Sequence, residues 1–232
     1  MPVGNEVQSM FGRIAKRYDR ANRLLSGGID RIWRRRLVRE VHHLQPKTIV
    51  DLATGSGDVA FALKRKQGNQ TEVTGLDFCQ PMLDEALRKC PLLLRAGESI
   101  HFMQGDILQL PFADESFDVA TIAFGFRNLE NREQGLREIR RILKPGGSLF
   151  ILEFTQPYRW FRGIYYFYLK RILPHLARLA TGNRDAYQYL AGSIEAFPSR
   201  QQITDLLQQN GFPAVRVIPM TFSIVAIHIA TR

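Results

Sequence analysis

Between Thr48 and Lys66 the chain reads TIVDL, then ATGSG, then DVAFALKRK: a short apolar run holding an acid, a turn of small residues, and a segment with apolar side chains at helical spacing. A strand that passes through glycines straight into a helix is the first half of a βαβ unit. It commits the downstream chain to a parallel sheet covered by helices. The later segments keep the alternation. Glu72 to Asp77 is predicted as the second strand, followed by a helix from Gln80 to Lys89 with Met82, Leu83, Ala86 and Leu87 on one face. Ile100 to Asp106 and Phe117 to Gly125 are the third and fourth predicted strands. A helix from Arg132 to Leu143 is predicted to stop at Lys144-Pro145-Gly146-Gly147, before a fifth strand from Ser148 to Phe154. Ser199 is expected to cap a helix from Arg200 to Asn210, ended by Gly211. Ala214 to Met220 and Ser223 to Arg232 lie so close in sequence that they must pair antiparallel. The expectation is a Rossmann-like α/β fold, a seven-stranded mostly parallel sheet with a C-terminal antiparallel hairpin.

With 232 residues, 45% of them hydrophobic, the chain can bury one substantial core. It is therefore expected to form a single domain. Residues 1–46 are a helical, basic N-terminal cap, residues 47–155 the core, residues 156–198 an aromatic and basic insertion, and residues 199–232 the last helix and hairpin. Met1 to Glu6 show no secretory signal, and the apolar stretch Gly163 to Ala180 is broken by Lys170, Arg171, His175 and Arg178. The spacing of Cys79 and Cys90 suits neither a zinc pair nor a redox motif. A cytoplasmic protein, in peripheral contact with the inner face of a membrane, is the expectation. The formal charge of +10 concentrates in Arg13 to Arg39 and in Arg159 to Arg184. Such clusters attract nucleic acid, an anionic membrane or an acidic ligand, and charge alone does not choose among them.

The turn after the first strand narrows the chemistry. Small residues where a strand becomes a helix let a ligand lie against backbone N–H groups. Asp77, ending the second strand, can accept hydrogen bonds from both hydroxyls of an adenosine ribose. Asp106, expected to end the third, can reach the adenine edge, with Ile107 against the ring face. Thr54, Gly55, Ser56 and Gly57 in the loop, and Phe78 after Asp77, complete the expected cofactor set. The spacing Gly55, Gly57, Ala60 also fits a dinucleotide fingerprint, so an NAD-dependent oxidoreductase competes. Against it, Asp51 within the first strand suits a cationic amino-acid moiety better than a pyrophosphate. Asp106 adds an acid with no dinucleotide role, and the final hairpin matches the usual methyltransferase sheet. These favour S-adenosyl-L-methionine, with S-adenosyl-L-homocysteine as product, on a class I methyltransferase fold. The bland alternative is that the three aspartates only cap strand ends and helix starts.

A family resemblance rests on a different set of residues: Val7-Gln8-Ser9-Met10-Phe11, Ile14 to Asp19, Asn22 to Ser26, Trp33-Arg34, Gly105-Asp106-Ile107, Leu110-Pro111-Phe112, Phe124 to Asn128 and Phe197-Pro198. Over nearly the full chain it resembles the ubiquinone/menaquinone biosynthesis C-methyltransferases. The resemblance implies C-methylation of a prenylated quinol ring, most simply demethylmenaquinol to menaquinol. It puts Ser56, Asp77, Asp106 and Ile107 at the cofactor. Two departures are visible: Ser56 stands where threonine is common, and Ala123 where some members carry serine.

Methylating a ring carbon of a hydroquinone calls for a proton acceptor and for a group that stabilises the phenolate. Arg127 is the candidate for holding the phenolate oxygen and Asn128 for positioning a water. Alternatively, Arg127 pairs with a structural carboxylate such as Glu153. Tyr18, with Asp19 and Asn22 at helical spacing, is the candidate for the proton relay; alternatively it only packs. No histidine pair has metal-ligand spacing, so no metal is expected. The insertion interleaves Tyr158, Trp160, Phe161 and Tyr165 with Arg159, Arg162, Lys170 and Arg171, a pattern suited to a bilayer interface or a polyprenyl tunnel, or else to a core helix with a solvated basic edge. RNA methylation using the basic patches is a further alternative, but the amino-methylation signature after the fourth strand is missing, and no nucleic-acid partner is expected. A non-catalytic binding module is disfavoured by the intact Arg127-Asn128 pair. A homodimer or a quinone-biosynthesis complex stays open.

Overall fold

The computed structural model describes residue 23, residues 26–172, 192, 194–195 and 197–232. The first described helix, α1 (Asp30–His42), buries Trp33, Leu37, Val38 and Val41 along one face, the three-to-four-residue spacing of a helix laid on a sheet. β1 (Thr48–Leu52) then runs into α2 (Asp58–Gln67), β2 (Glu72–Asp77) into α3 (Gln80–Leu93), and β3 (His101–Gln104) through a long loop into β4 (Phe117–Ala123). A 3-10 turn over Phe126–Asn128 precedes α4 (Arg132–Ile142), β5 (Leu143–Phe154) and the short α5 (Arg162–Phe167), which passes into a π turn over Tyr168–Ile172. α6 (Arg200–Gln209), β6 (Ala214–Met220) and β7 (Val225–Thr231) finish the chain.

The strands lie in the order β3-β2-β1-β4-β5-β7-β6. β1 to β5 pair in parallel, whereas β7 runs antiparallel to both β5 and β6. This is the seven-stranded sheet expected from the sequence. Because β2 and β3 step outward on one side of β1 and β4 starts on the other, the order reverses between β1 and β4. The crevice beyond their C-terminal ends is where open sheets of this kind take ligands. Alternate residues feed two cores. Val50 and Leu52 face α4 and α6, with Leu136, Ile139 and Leu207, while Ile49 faces α1 and α2, with Leu37, Val41 and Leu63. Each such buried leucine contributes about 1.5–3 kcal/mol.

Several boundaries differ from the sequence reading. β3 is four residues long and stops before Asp106. The Gly105 N–H still reaches the Asp77 carbonyl at 3.0 Å. Asp106 then accepts the Leu108 N–H at 2.9 Å, an Asx turn that ends the extended chain. β4 ends at Ala123 because Phe124 is left-handed, at φ 58°. α3 continues past Lys89 with Pro91 inside its last turn. The carbonyl deprived of a donor belongs to Leu87, a residue on the exposed face of the helix. The Lys144–Gly147 turn is a bulge inside β5, between the pairs Leu143 with Phe117 and Ser148 with Val119. Lys144 is held there by Asp118 at 2.7 Å. β7 starts late because Thr221, Phe222 and Ser223 are all left-handed. Ser199 caps α6 as expected, and Gln202 completes a capping box with it.

Candidate active site

Asp51 and Thr121 are direct neighbours across β1 and β4, at the point where the strand order reverses. The Thr121 hydroxyl donates to Asp51 Oδ1 at 2.6 Å and the Thr54 hydroxyl to Oδ2 at 2.7 Å. The carboxylate is 1% exposed. Burial raises its pKa to about 6, against the lowering by the two hydroxyls and the Arg34 charge, and the negative charge of Asp77 adds to the rise. Asp77 ends β2 and accepts the Gly55 N–H at 2.7 Å and the Cys79 N–H at 2.9 Å, one on each oxygen. Burial raises its pKa as well, with those backbone donors opposing. The Phe78 N–H is a further backbone donor to it, which leaves the carboxylate one lone pair for a ligand hydroxyl.

These two acids face one cleft beyond β1, β2 and β4. Thr54, Gly55, Ser56 and Phe78, of the expected cofactor set, stand in its wall together with Asn128, expected instead at the chemistry. Thr54 has its hydroxyl on Asp51, so it orients that acid. Gly57 is behind the wall rather than in it. It enters α2 at φ 84°, and a β-carbon there would lie 2.8 Å from the Phe61 ring, so only glycine lets the loop close onto the helix. Asp106 and Ile107 are not in this wall: Asp106 is exposed and Ile107 packs in the core beside Leu110 and Leu136.

A second cavity, of about 460 Å³, adjoins the first. Trp33, Phe124, Phe154, Tyr165 and Leu169 form most of its apolar wall. Phe124 and Arg34 belong to both cavities. The left-handed turn at Phe124 brings this about, because it points the chain across the sheet end and seats the ring against Trp33 and Phe154, with centroids 6.0 and 5.0 Å away. Burial pushes the Tyr165 phenol well above its ordinary pKa, so it remains a donor. The 3-10 turn stands between the cavities, with Arg127 in the apolar wall and Asn128 in the polar one. Gly125, just before it, backs onto the cofactor loop so closely that a β-carbon would meet the Ala53 Cβ at 2.5 Å.

Arg127 is not a free guanidinium. Its Nη1 donates to Glu153 Oε1 at 2.8 Å and to the Phe124 carbonyl at 2.5 Å, so the pairing with Glu153 weighed from the sequence is the one observed. Its Nε is buried without a protein partner. Tyr18, with the N-terminal block that carries much of the resemblance, lies outside the described residues. Sequence reasoning missed two groups. Thr121 is a lone hydroxyl in an otherwise buried strand, a signal that was there to use. Arg34 counted as one of many basic residues and as part of the Trp33-Arg34 element of the resemblance, with no role at the cofactor, and only the packing of α1 reveals its place. Among the described residues, no group of three or more His, Cys, Asp or Glu side chains gathers as a metal site.

Comparison with known proteins agrees with this architecture. The model of the ubiE/COQ5 methyltransferase family matches residues 3–232. A demethylmenaquinone methyltransferase of Thermus thermophilus is 46% identical over 224 residues, spanning 96% of this chain and 100% of that one. A ubiquinone/menaquinone biosynthesis C-methyltransferase UbiE of Geotalea daltonii is 39% identical over 226 residues, spanning 97% of this chain and 95% of the other. Among solved structures, a SAM-dependent methyltransferase from Aquifex aeolicus shares the fold, with a TM-score of 0.59 at 18% identity, covering 84% of this chain and 88% of that one.

Proposed function

The chain belongs to the ubiE/COQ5 methyltransferase family, and from that premise we propose that it moves the methyl group of S-adenosyl-L-methionine to a ring carbon of a prenylated quinol, in the simplest case demethylmenaquinol to menaquinol. The observation that carries the reading is the sharing of Phe124 between a polar cleft and an aromatic-walled cavity. A flat ring in the second would lie next to the group that fills the first. The family match supports methyl transfer and lends nothing to the NAD-dependent or RNA-modifying alternatives.

The cleft fits the cofactor. A buried, desolvated acid without a cation of its own in contact, Asp51, suits an α-ammonium, and Asp77 suits the ribose hydroxyls. The adenine role expected of Asp106 and Ile107 rests on the resemblance. When bound, the cofactor supplies an electrophilic methyl group on a sulfonium. The protein's part is to hold the ring behind that methyl and to favour its ionised form. Trp33, Phe124 and Phe154 exclude water and give the ring faces to lie on. Arg127 and Arg132 stand against the single charge of Glu153, which lowers the cost of a phenolate at the cavity floor. Asn128, on the cofactor side of the same turn, is the candidate for holding a water between cofactor and ring, and Tyr18 remains the candidate for the proton relay.

A peripheral membrane contact belongs to the same reading. Phe161 lines the apolar cavity, and Trp160 and Phe222 pack on it, with centroids 5.5 and 4.8 Å away. Trp160 is 68% and Phe222 51% exposed. Arg159, Arg162, Lys170 and Arg171 lie in the adjoining segment, all four exposed. Rings at the rim of an apolar cavity with cations beside them suit an anionic lipid surface. Among the described residues no helix is long and apolar enough to cross a membrane.

The test is incubation of purified protein with methyl-labelled S-adenosyl-L-methionine and each of two demethylated quinols, a naphthoquinol and a benzoquinol. Label on a ring carbon of the naphthoquinol is expected. Transfer to neither quinol, with transfer to RNA, overturns the reading.

A further inference from the structure

Arg34 sits on α1, outside the sheet and its cofactor loop, yet its side chain enters the cofactor cleft. Two carboxylates draw it there. Its Nη1 is 2.6 Å from Asp58 Oδ2, at the first residue of α2, and 3.2 Å from Asp30 Oδ2, one turn earlier on its own helix. The side chain is 16% exposed, and its Nε is buried with no protein partner. Among the described residues lining the cleft it is the one cation. Its charge reaches Asp51, whose carboxyl it draws toward the ionised form. A buried guanidinium nitrogen with no acceptor costs stability unless a ligand supplies one.

Resting on the cofactor reading above, we infer that Arg34 binds the α-carboxylate of S-adenosyl-L-methionine and forms, with Asp51, a two-signed clamp for the amino-acid end. The charges of the cofactor select this pairing. Its sulfonium and α-ammonium are cations and its adenosine is neutral, so the α-carboxylate is the one group on it that a guanidinium attracts. The α-ammonium and α-carboxylate hang from a single carbon, and the protein offers an anion from β1 and a cation from α1 in the same cleft. A planar guanidinium fixed by Asp58 and Asp30 is pre-oriented for a carboxylate, which limits the ordering cost of binding. The clamp also gives α1 a stake in the cofactor. Trp33, the preceding residue, is part of the apolar cavity wall, so a ligand that fixes Arg34 fixes that wall too.

The alternative is that Arg34, which also borders the apolar cavity, serves the quinol oxygen, or that it only ties α1 to α2. Equilibrium titration separates these. The ligands are S-adenosyl-L-homocysteine and its decarboxylated analogue, which keeps the amine and lacks the carboxylate. They are titrated by calorimetry into the full chain, its Arg34→Gln variant and its Arg34→Lys variant. The wild type is expected to bind the intact ligand roughly 10- to 100-fold more tightly than the analogue. Arg34→Gln should lose about that factor for the intact ligand and change the analogue's affinity by less than about threefold, with Arg34→Lys recovering part of the loss. Equal loss for both ligands overturns the proposal in favour of a structural tie. Unchanged affinity for both, with a raised KM for quinol, overturns it in favour of a substrate role. If Arg34→Gln does not fold, the wild-type comparison still decides: equal affinity for the two ligands rules out a carboxylate subsite. A wild type that binds neither ligand refutes the cofactor reading itself, an outcome distinct from the others.

Discussion

Glu153 accepts the Arg127 guanidinium at 2.8 Å and the Arg127 backbone N–H at 3.2 Å, with the two side chains 1% and 5% exposed. A carboxylate this deep is tolerated because the arginine is there, and the reverse holds too. Glu153→Ala is expected to destabilise the fold by about 3–5 kcal/mol, since it strands a buried cation, and the double variant Glu153→Ala/Arg127→Ala by less than the sum of the singles. Chemical denaturation of the four proteins checks this. Arg127→Lys keeps a charge on Glu153 and should fold, but it turns over more slowly because it lacks the broad guanidinium at the cavity floor. Unchanged turnover in a folded Arg127→Lys protein removes Arg127 from the proposed chemistry.

Asp51 carries a different liability. Its carboxylate is fully desolvated and its pKa is about 6, so at pH 8 it is ionised at a cost, on the order of 3 kcal/mol, that the unfolded chain does not bear. Asp51→Asn should therefore leave the ligand-free protein as stable at pH 8 as the wild type, or more so, while weakening S-adenosyl-L-homocysteine binding by at least about tenfold. Thermal unfolding without ligand and calorimetric titration give the two numbers. A loss of stability together with unchanged affinity contradicts the assignment.

Mild acid acts in opposite directions on two buried groups. His228, in β7, has Nε2 3.2 Å from the Arg200 carbonyl and Nδ1 buried without a partner, and burial depresses its pKa from 6.5 to about 4. As pH falls from 6.5 toward 4, the unfolded chain takes up a proton that the folded chain refuses, so this contribution to stability is lost, by up to about 3 kcal/mol. Asp51 is the reverse. Between about pH 6 and 3.8 the folded chain takes its proton first, and stability returns as pH falls. Urea denaturation at about pH 7 and about pH 5 should show His228→Gln losing less stability on acidification than wild type, and Asp51→Asn losing more.

The aromatic rim makes a prediction about lipid. Trp160→Ser combined with Phe222→Ser should cut co-sedimentation with anionic vesicles several-fold and leave S-adenosyl-L-homocysteine affinity unchanged, because neither ring touches the cofactor cleft. The remaining binding should fall further as salt screens Arg159, Arg162 and Lys170. Equal sedimentation of variant and wild type contradicts a bilayer contact at this rim.

What the sequence discloses and what it hides divide along a physical line. Short apolar segments bounded by turn residues, such as Thr48–Leu52 and Ala214–Met220, are found where the sequence puts them. Asp51 is legible because a strand leading into a glycine-bearing turn has few uses, and Asp77 because it ends the next strand of the same βαβ unit. The misplaced boundaries lie where a tertiary contact overrides local propensity. α4 stops where expected, but Asp118 captures Lys144 and the turn expected before the fifth strand becomes a bulge inside it, while α3 runs on past its expected end to Leu93. The second cavity was invisible for a related reason. Trp33, Phe124, Phe154 and Tyr165 come from four separate segments, and no spacing in the chain records that a left-handed turn at Phe124 will bring them together.

The contact of Gly125 with Ala53 bears on how such an enzyme can change its diet. With no room for even a methyl group between them, the loop after β1, which faces the first room, is braced on the loop after β4, which faces both. Substitutions in that brace disturb both tenants at once. Variants that accept a larger or smaller ring are therefore to be sought on the opposite side, among Trp33, Phe154 and Tyr165, where the second room can be remodelled while the first is left standing.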